Sequence, residues 1–407
     1  MSDPVTPEPP AVDPRGPGRG LGTLTALDRS RFATEHWGRA PLLSRADDLP
    51  APTHGFGAAA VDELLSRRGL RTPFLRMARD GATLDPRELT LGGGVGAAVG
   101  DQVSEDKVLR LFAEGATIVL QGLHRTWAPV AATARDLAAD LGHPVQVNAY
   151  VTPPQNRGFD DHYDVHDVFV VQVEGEKHWR VRPPVLDLPL RNQPWTDRRA
   201  DVAAAARARP VVDTVLRPGD CLYLPRGWLH SATALGGTST HLTFGVHVWT
   251  VRHVAEDLLA AVGRVLDTDP AVREALPLGT DALDPATAGG LRDRVRAAVD
   301  AALDAVGDDD LAAALARRAR AAQRPEPLDV LAQHAAASAE VGPRWRLREH
   351  LAARWEGDVL VTRVGRLAVT PEERGAVKRL LAGTDPEQLP SDLRRRLALA
   401  GLLVPVG

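Results

Sequence analysis

Cysteine is nearly absent: Cys221 is the only one in 407 residues. One thiol excludes an internal disulfide framework and any zinc site built on paired cysteines, and it fits a reducing cytoplasm. No apolar run approaches the roughly 20 residues that a membrane-spanning helix needs. The N-terminus has no apolar core followed by a small-residue cleavage site, so no secretory signal is read there. Neither sign of charge is in excess. A net charge of −4 gives no global attraction to nucleic acid or an anionic membrane. Lysine is scarce while alanine, arginine, glycine and proline abound, and nothing functional follows from that bias.

What remains is an ordinary globular composition, 44% hydrophobic and 25% charged, sufficient for a sizeable core. The length predicts two or three domains. Residues 1–20, "MSDPVTPEPPAVDPRGPGRG", are dominated by proline and glycine and read as a disordered tail. From Leu21 the pattern becomes globular. Asp28 or Ser30 is placed to cap a helix ahead of Phe32 and Trp37. "SEDKVLRLFAEGATIVLQ" predicts a helix capped near Ser104, a stop at Gly115 and a strand. "WAPVAATARDLAADLG" predicts a helix ended by Gly142.

Residues 145–250 change character. "VQVNAYV", "DVFVVQV", "HWRVR", "VVDTVLR", "DCLYLP" and "STHLTFGVHVWT" are short β-type runs punctuated by Gly, Pro and Asp, which predicts a sandwich or barrel. In this reading "EGE" is a turn separating the second run from the third. From Val251 to about residue 340 the chain reads as almost entirely helical. From about residue 341 short strands and helices alternate over the length of a small module.

The chemistry concentrates in two places. "GFDDHYDVHD", residues 158–167, places His162 and Asp164 two apart just before an apolar run. In an extended segment such residues share a face, so an imidazole and a carboxylate can occupy adjacent positions on a metal while Tyr163 points away. Alone, the stretch reads equally as a polar turn. The second place is "RPGDCLYLPRGWLHSA". Here turn, short strand and second turn deliver His230 at a fixed offset. Two histidines and one carboxylate on one face of an octahedron leave three positions open, the arrangement of non-haem Fe(II) oxygenases; zinc accepts the same ligands. Lys177, in "VEGEKHWRV", is either a solvent-facing hairpin lysine or a buried cation that needs an anion.

"NAYVTPPQNRGFDDHYDVHDVFVVQVEGEKHWRV" followed by "PGDCLYLPRGWLHSA" resembles the JmjC-type cupins. Within them it resembles the ribosomal-oxygenase branch of bacterial ribosomal-protein arginine hydroxylases and nucleolar histidyl hydroxylases. The second motif also fits the cupin pattern G-x5-P-x-G-x2-H. The resemblance implies an α+β chain. A double-stranded β-helix (cupin/JmjC jelly roll) with flanking helices would occupy residues 21–250, a helical dimerisation region 251–340, and a winged-helix-like domain 341–407.

The resemblance further implies His162, Asp164 and His230 as ligands of Fe(II), and Lys177 as the cation that pairs the distal carboxylate of 2-oxoglutarate. Asn148 and Tyr150 match positions on a strand lining the cosubstrate pocket, and Thr243 matches a polar contact on a late strand. Phe159 stands where some relatives carry a threonine, a departure that places more weight on Lys177, Asn148 and Tyr150.

The implied function is hydroxylation of an arginine or histidine side chain of a protein, with a ribosomal protein as substrate. The implied protein is a cytoplasmic homodimer without a membrane segment. The same chemistry on a small molecule or peptide natural product is one alternative. A non-catalytic cupin acting as a binding or regulatory protein is another, which the intact His162, Asp164, His230 and Lys177 set opposes. Histone demethylation is a further JmjC activity, but "HYD" and "EGEKHW" resemble the hydroxylase branch.

His166 shares the face of His162 and Asp164 and reads as a plain polar position ahead of a supporting one. Trp179, Trp228 and Trp249 read as core, with Trp228 near enough to His230 to border the metal. Arg394 to Arg396 read as a solvated basic turn ahead of a nucleic-acid surface.

Overall fold

The computed structural model describes residues 19–79, 81–154, 156, 160–281, 284–339 and 342–406. Most of the tail expected at the N-terminus and the departure at Phe159 lie outside the described residues. Gly20 and Leu21 belong to the folded part: both backbone N–H groups donate to the Asp140 carboxylate, at 2.7 and 2.8 Å. Contacts divide the chain into two units, Met1–His247 and Val248–Gly407.

The first unit is built on strands β1 (Leu42–Ser44), β2 (Leu75–Arg79), β3 (Ala82–Thr83), β4 (Thr90–Leu91), β5 (Gln102–Val103), β6 (Thr117–Leu120), β7 (Val145–Thr152), β8 (Asp167–Arg182), β9 (Val212–Leu216), β10 (Cys221–Leu224) and β11 (Leu229–Val246). Nine of them form one antiparallel sheet in the order β1-β10-β8-β11-β7-β6-β2-β3, with β9 beside β8. The expected helices stand where capping and glycine signals place them. Ser104 caps Glu105–Ala113, and Gly142, at φ +71°, ends Ala128–Leu141.

Two separations expected from sequence are not present. "DVFVVQV" and "HWRVR" form one 16-residue strand, β8, and the chain from Leu229 to Val246 forms one 18-residue strand, β11. "EGE" is a bulge rather than a turn. Gly175 has φ +65°, and a Cβ there would lie 2.2 Å from the Thr238 carbonyl oxygen. The Gln172 amide donates to the Glu174 and Gly175 carbonyls and to Ser239 Oγ, which pins the kink. The β8–β11 register shifts between Leu235 and His241.

A bulge adds one residue and so reverses which side chains face inward. Val168 and Val170 before it, and Lys177 and Trp179 after it, consequently line one cavity. The same reversal on β11 brings His230 and Ala232 to the face that also carries His241 and Thr243.

The second unit holds helices Val251–Leu266, Pro285–Ala305, Asp308–Ala322 and Val330–Ser338. Short strands and the helices Pro371–Leu381 and Ser391–Leu399 follow. Its core gathers Leu360, Val377, Leu393, Leu397 and Leu403. Arg394 and Arg396 pair with Glu387 and Glu373, each at 2.7 Å. Among the described residues, no helix is long and apolar enough to cross a membrane.

Candidate active site

His162 and His230 are joined backbone to backbone. His162 N–H donates to the His230 carbonyl at 3.1 Å, and His230 N–H donates to the His162 carbonyl at 2.8 Å. The "PRG" turn approaches the first motif as closely: Gly227 N–H donates to the Asp164 carbonyl at 2.9 Å. Gly227 has φ +89°, and a Cβ there would lie 2.6 Å from the Leu186 carbonyl oxygen. The spacing of glycine and histidine in this motif is thus a packing requirement.

These links bring one donor atom each from His162, Asp164 and His230 within 4.8 Å of one another. His162 Nδ1 lies 2.7 Å from the Asp160 carbonyl and His230 Nδ1 lies 3.0 Å from the Trp228 carbonyl. A carbonyl only accepts, so each Nδ1 carries a proton, which leaves Nε2 as the ring atom that can face a metal. His230 is held neutral, its pKa pushed down to about 4 by burial and by the neighbouring His162. Burial alone would raise Asp164, but His166, His230, His162 and Arg76 together hold it below the ordinary carboxylate value. Two imidazoles oriented through Nδ1 and one ionised carboxylate form a donor set that fits a divalent metal.

The triad opens into a cavity of about 230 Å³ that also contains Lys177, Tyr150, Thr243, Arg76, Thr117, His241, Trp179 and Trp195. Lys177 is 4% exposed. Its Nζ donates to Thr152 Oγ1 at 3.1 Å, and burial brings its pKa down to about 7. Tyr150 stacks on His241 with centroids 4.9 Å apart and accepts support from Arg76 and Asn148. Asn148 does not line the cavity; its Oδ1 accepts from Gly122 N–H at 3.1 Å. Thr243 lies opposite Asn148 in the β7–β11 register.

Trp179 is both buried and cavity-lining, whereas Trp228 packs in the core beside Leu222 and Leu224. His166 stacks against His247 at 5.3 Å, outside the cavity lining. Asp161 accepts from Arg182 at 2.7 Å and from Ser231 at 3.1 Å, tying the first motif to both long strands. Sequence reasoning left Arg76, Trp195 and His241 without a role. The one signal at Arg76 is a charge set between Leu75 and Met77, both fully buried.

Residues 127–254 match the family model for the JmjC domain. Over 259 residues, 61% of this chain, it is 31% identical to ribosomal oxygenase 1 of Gallus gallus, of which it covers 40%. Over 104 residues, 25% of this chain, it is 40% identical to the bifunctional lysine-specific demethylase and histidyl-hydroxylase NO66 of Drosophila persimilis, of which it covers 14%. Residues 127–254 thus form a JmjC domain, and the chain is similar to ribosomal oxygenases over that segment and beyond it. It spans less than half the length of the curated relatives it matches here. The solved structure of YcfD, a ribosomal oxygenase from Escherichia coli in complex with cobalt and 2-oxoglutarate, aligns with 94% of this chain and 99% of its own, with a TM-score of 0.55 at 16% identity. That likeness extends the shared fold beyond the JmjC segment.

Proposed function

We propose that this chain is an Fe(II)- and 2-oxoglutarate-dependent hydroxylase of an arginine or histidine side chain of a protein, with a ribosomal protein as substrate. The observation that carries the reading is the converging His162, Asp164, His230 donor set opening into the cavity that buries Lys177. When bound, iron and 2-oxoglutarate supply the oxidising chemistry: one oxygen atom of O2 enters the substrate C–H bond and the other enters succinate, with release of CO2.

The chain's own residues bind, orient and enclose. His162, Asp164 and His230 hold the metal through two Nε2 atoms and a carboxylate oxygen. Asp160 and Trp228 fix the imidazoles through their carbonyls. Lys177 meets the distal carboxylate of 2-oxoglutarate, with Thr152 orienting its ammonium. Tyr150 and Thr243 line the same pocket, and Asn148 acts through Tyr150. Residues 251–340 serve as the helical dimerisation region of a cytoplasmic homodimer, and 341–407 as a winged-helix-like domain. Its Arg394 and Arg396 are engaged by carboxylates of the same unit, which argues against using them on nucleic acid.

His162→Ala and Asp164→Ala should each abolish iron-dependent succinate formation from 2-oxoglutarate. Succinate release persisting in both would displace the site. Ribosomal proteins from a strain lacking the gene should lose a one-oxygen mark that wild-type cells carry.

A further inference from the structure

His162 meets β11 at a single antiparallel bridge, paired with His230, and the residues on either side of it belong to no strand. One bridge is a short ladder for a segment that must present two metal ligands. On the C-terminal side of His162 the backbone adds the bond from Gly227 N–H to the Asp164 carbonyl. On the N-terminal side the link is made by side chains.

The bridge sets Asp161 opposite Ser231 and Tyr163 opposite Leu229. Alternation turns these four side chains away from the face that carries the imidazoles. Tyr163 and Leu229 pack together on that rear face, with Val202. Asp161 Oδ1 accepts from Ser231 Oγ at 3.1 Å and from Arg182 Nη1 at 2.7 Å. Arg182 lies opposite Leu229 on β8, and so belongs to the same rear face. Its Nε donates to the Ala208 carbonyl at 2.8 Å. The Arg182 side chain is 9% exposed. A buried guanidinium held at both ends is a fixed anchor, so Asp161 is tied to the frame of the two long strands.

On the other face the His162 and His230 rings stand with their centroids 4.4 Å apart. Ligands already ordered at their spacing lose little freedom when an ion binds.

We propose that Asp161 is a positioning residue for the metal site: with Ser231 and Arg182 it forms a clasp on the rear face that holds His162 in register with His230. The inference rests on reading the triad as a metal site, and the test below tells the failure of one from the failure of the other.

The probe is Mn2+ alone, added to the metal-free full chain at pH 7.5, with free Mn2+ read by electron paramagnetic resonance. The melting temperature of each metal-free variant is recorded beside it. Asp161→Ala should weaken Mn2+ binding about tenfold or more, as loss of a group that orients a ligand does. Ser231→Ala should weaken it too, by less. The double variant should bind no more weakly than Asp161→Ala alone, because both changes break one link. Asp161→Asn keeps an Oδ1 that accepts from both Ser231 and Arg182 and removes the charge, so it should bind close to wild type.

If leaving Arg182 unpaired prevents Asp161→Ala from folding, Ser231→Ala and Asp161→Asn carry the test, since neither strips Arg182 of its acceptor. Affinity unchanged in Ser231→Ala would overturn the clasp. Affinity as weak in Asp161→Asn as in Asp161→Ala would overturn it as well, since charge would then be acting in place of position. A lowered melting temperature with unchanged Mn2+ affinity in Asp161→Ala would leave Asp161 a purely structural residue. Wild-type Mn2+ binding that survives His162→Ala would instead remove the metal site, and the clasp with it.

Discussion

Lys177 has exchanged water for a cavity in which its ammonium donates to a threonine hydroxyl. Burial therefore lowers its pKa to about 7. A carboxylate placed beside it favours the charged form and draws the pKa back up. Below pH 7 the ammonium is already charged, and dicarboxylate binding should be independent of pH. Above pH 7, binding must take up a proton, so affinity should fall as pH rises, by up to about tenfold per unit. Titration calorimetry of 2-oxoglutarate at pH 8, in two buffers of different ionisation enthalpy, should show proton uptake in the wild type. Lys177→Met should lose both the uptake and most of the affinity. Equal heats in both buffers for the wild type would take Lys177 away from the carboxylate.

At this scale the convergence of His162, Asp164 and His230 and the cavity position of Lys177 were legible because these residues sit in long motifs with fixed spacing. Arg76 and His241 reach the cavity from strands whose local sequence is ordinary, through their register, and Trp195 reaches it from the helical turn Trp195–Arg198.

At the scale of the element, Gly175 decides which way β8 presents its side chains. Simple alternation would put Lys177 on the face opposite Val168 and Val170, yet all three line the cavity. The sequence marks the place, since "EGE" interrupts an apolar run, but a glycine between charged residues reads equally as a hairpin turn. What separates the two is the pairing of both halves of β8 with the single strand β11, a long-range feature that no local pattern reports. Gly175→Ala should therefore cost stability twice, through a left-handed backbone angle and through the Thr238 carbonyl. The expected loss is about 1–3 kcal/mol or more by chemical denaturation, together with weaker 2-oxoglutarate binding as Lys177 is displaced. Unchanged stability would mean that the bulge does not set the strand.

Over the whole molecule, titration separates the two units. His54, His230, His241 and His247 are all held below the ordinary imidazole pKa, chiefly by burial, and all lie in Met1–His247. A histidine with a depressed folded pKa binds fewer protons folded than unfolded once the pH drops below about 6.5. Its contribution is intact above that pH and is lost as pH falls through the folded value, which is about 4 for His230 and His247. For His230, 7% exposed at its side chain, the full loss is on the order of 3 kcal/mol. Acidification from pH 7.5 to 5 should therefore lower the melting temperature of the first unit more than that of the second. A single thermal transition at neutral pH should broaden or split. A divalent metal competes with the same protons for the Nε2 lone pairs of His162 and His230, so added Mn2+ should raise the first transition at pH 7.5 and lose most of that effect at pH 5. Differential scanning calorimetry of the full chain checks both. If the first transition moves no more than the second, the buried imidazoles are not what ties this fold to neutral pH. If Mn2+ stabilises equally at both pH values, it is bound elsewhere than at these two rings.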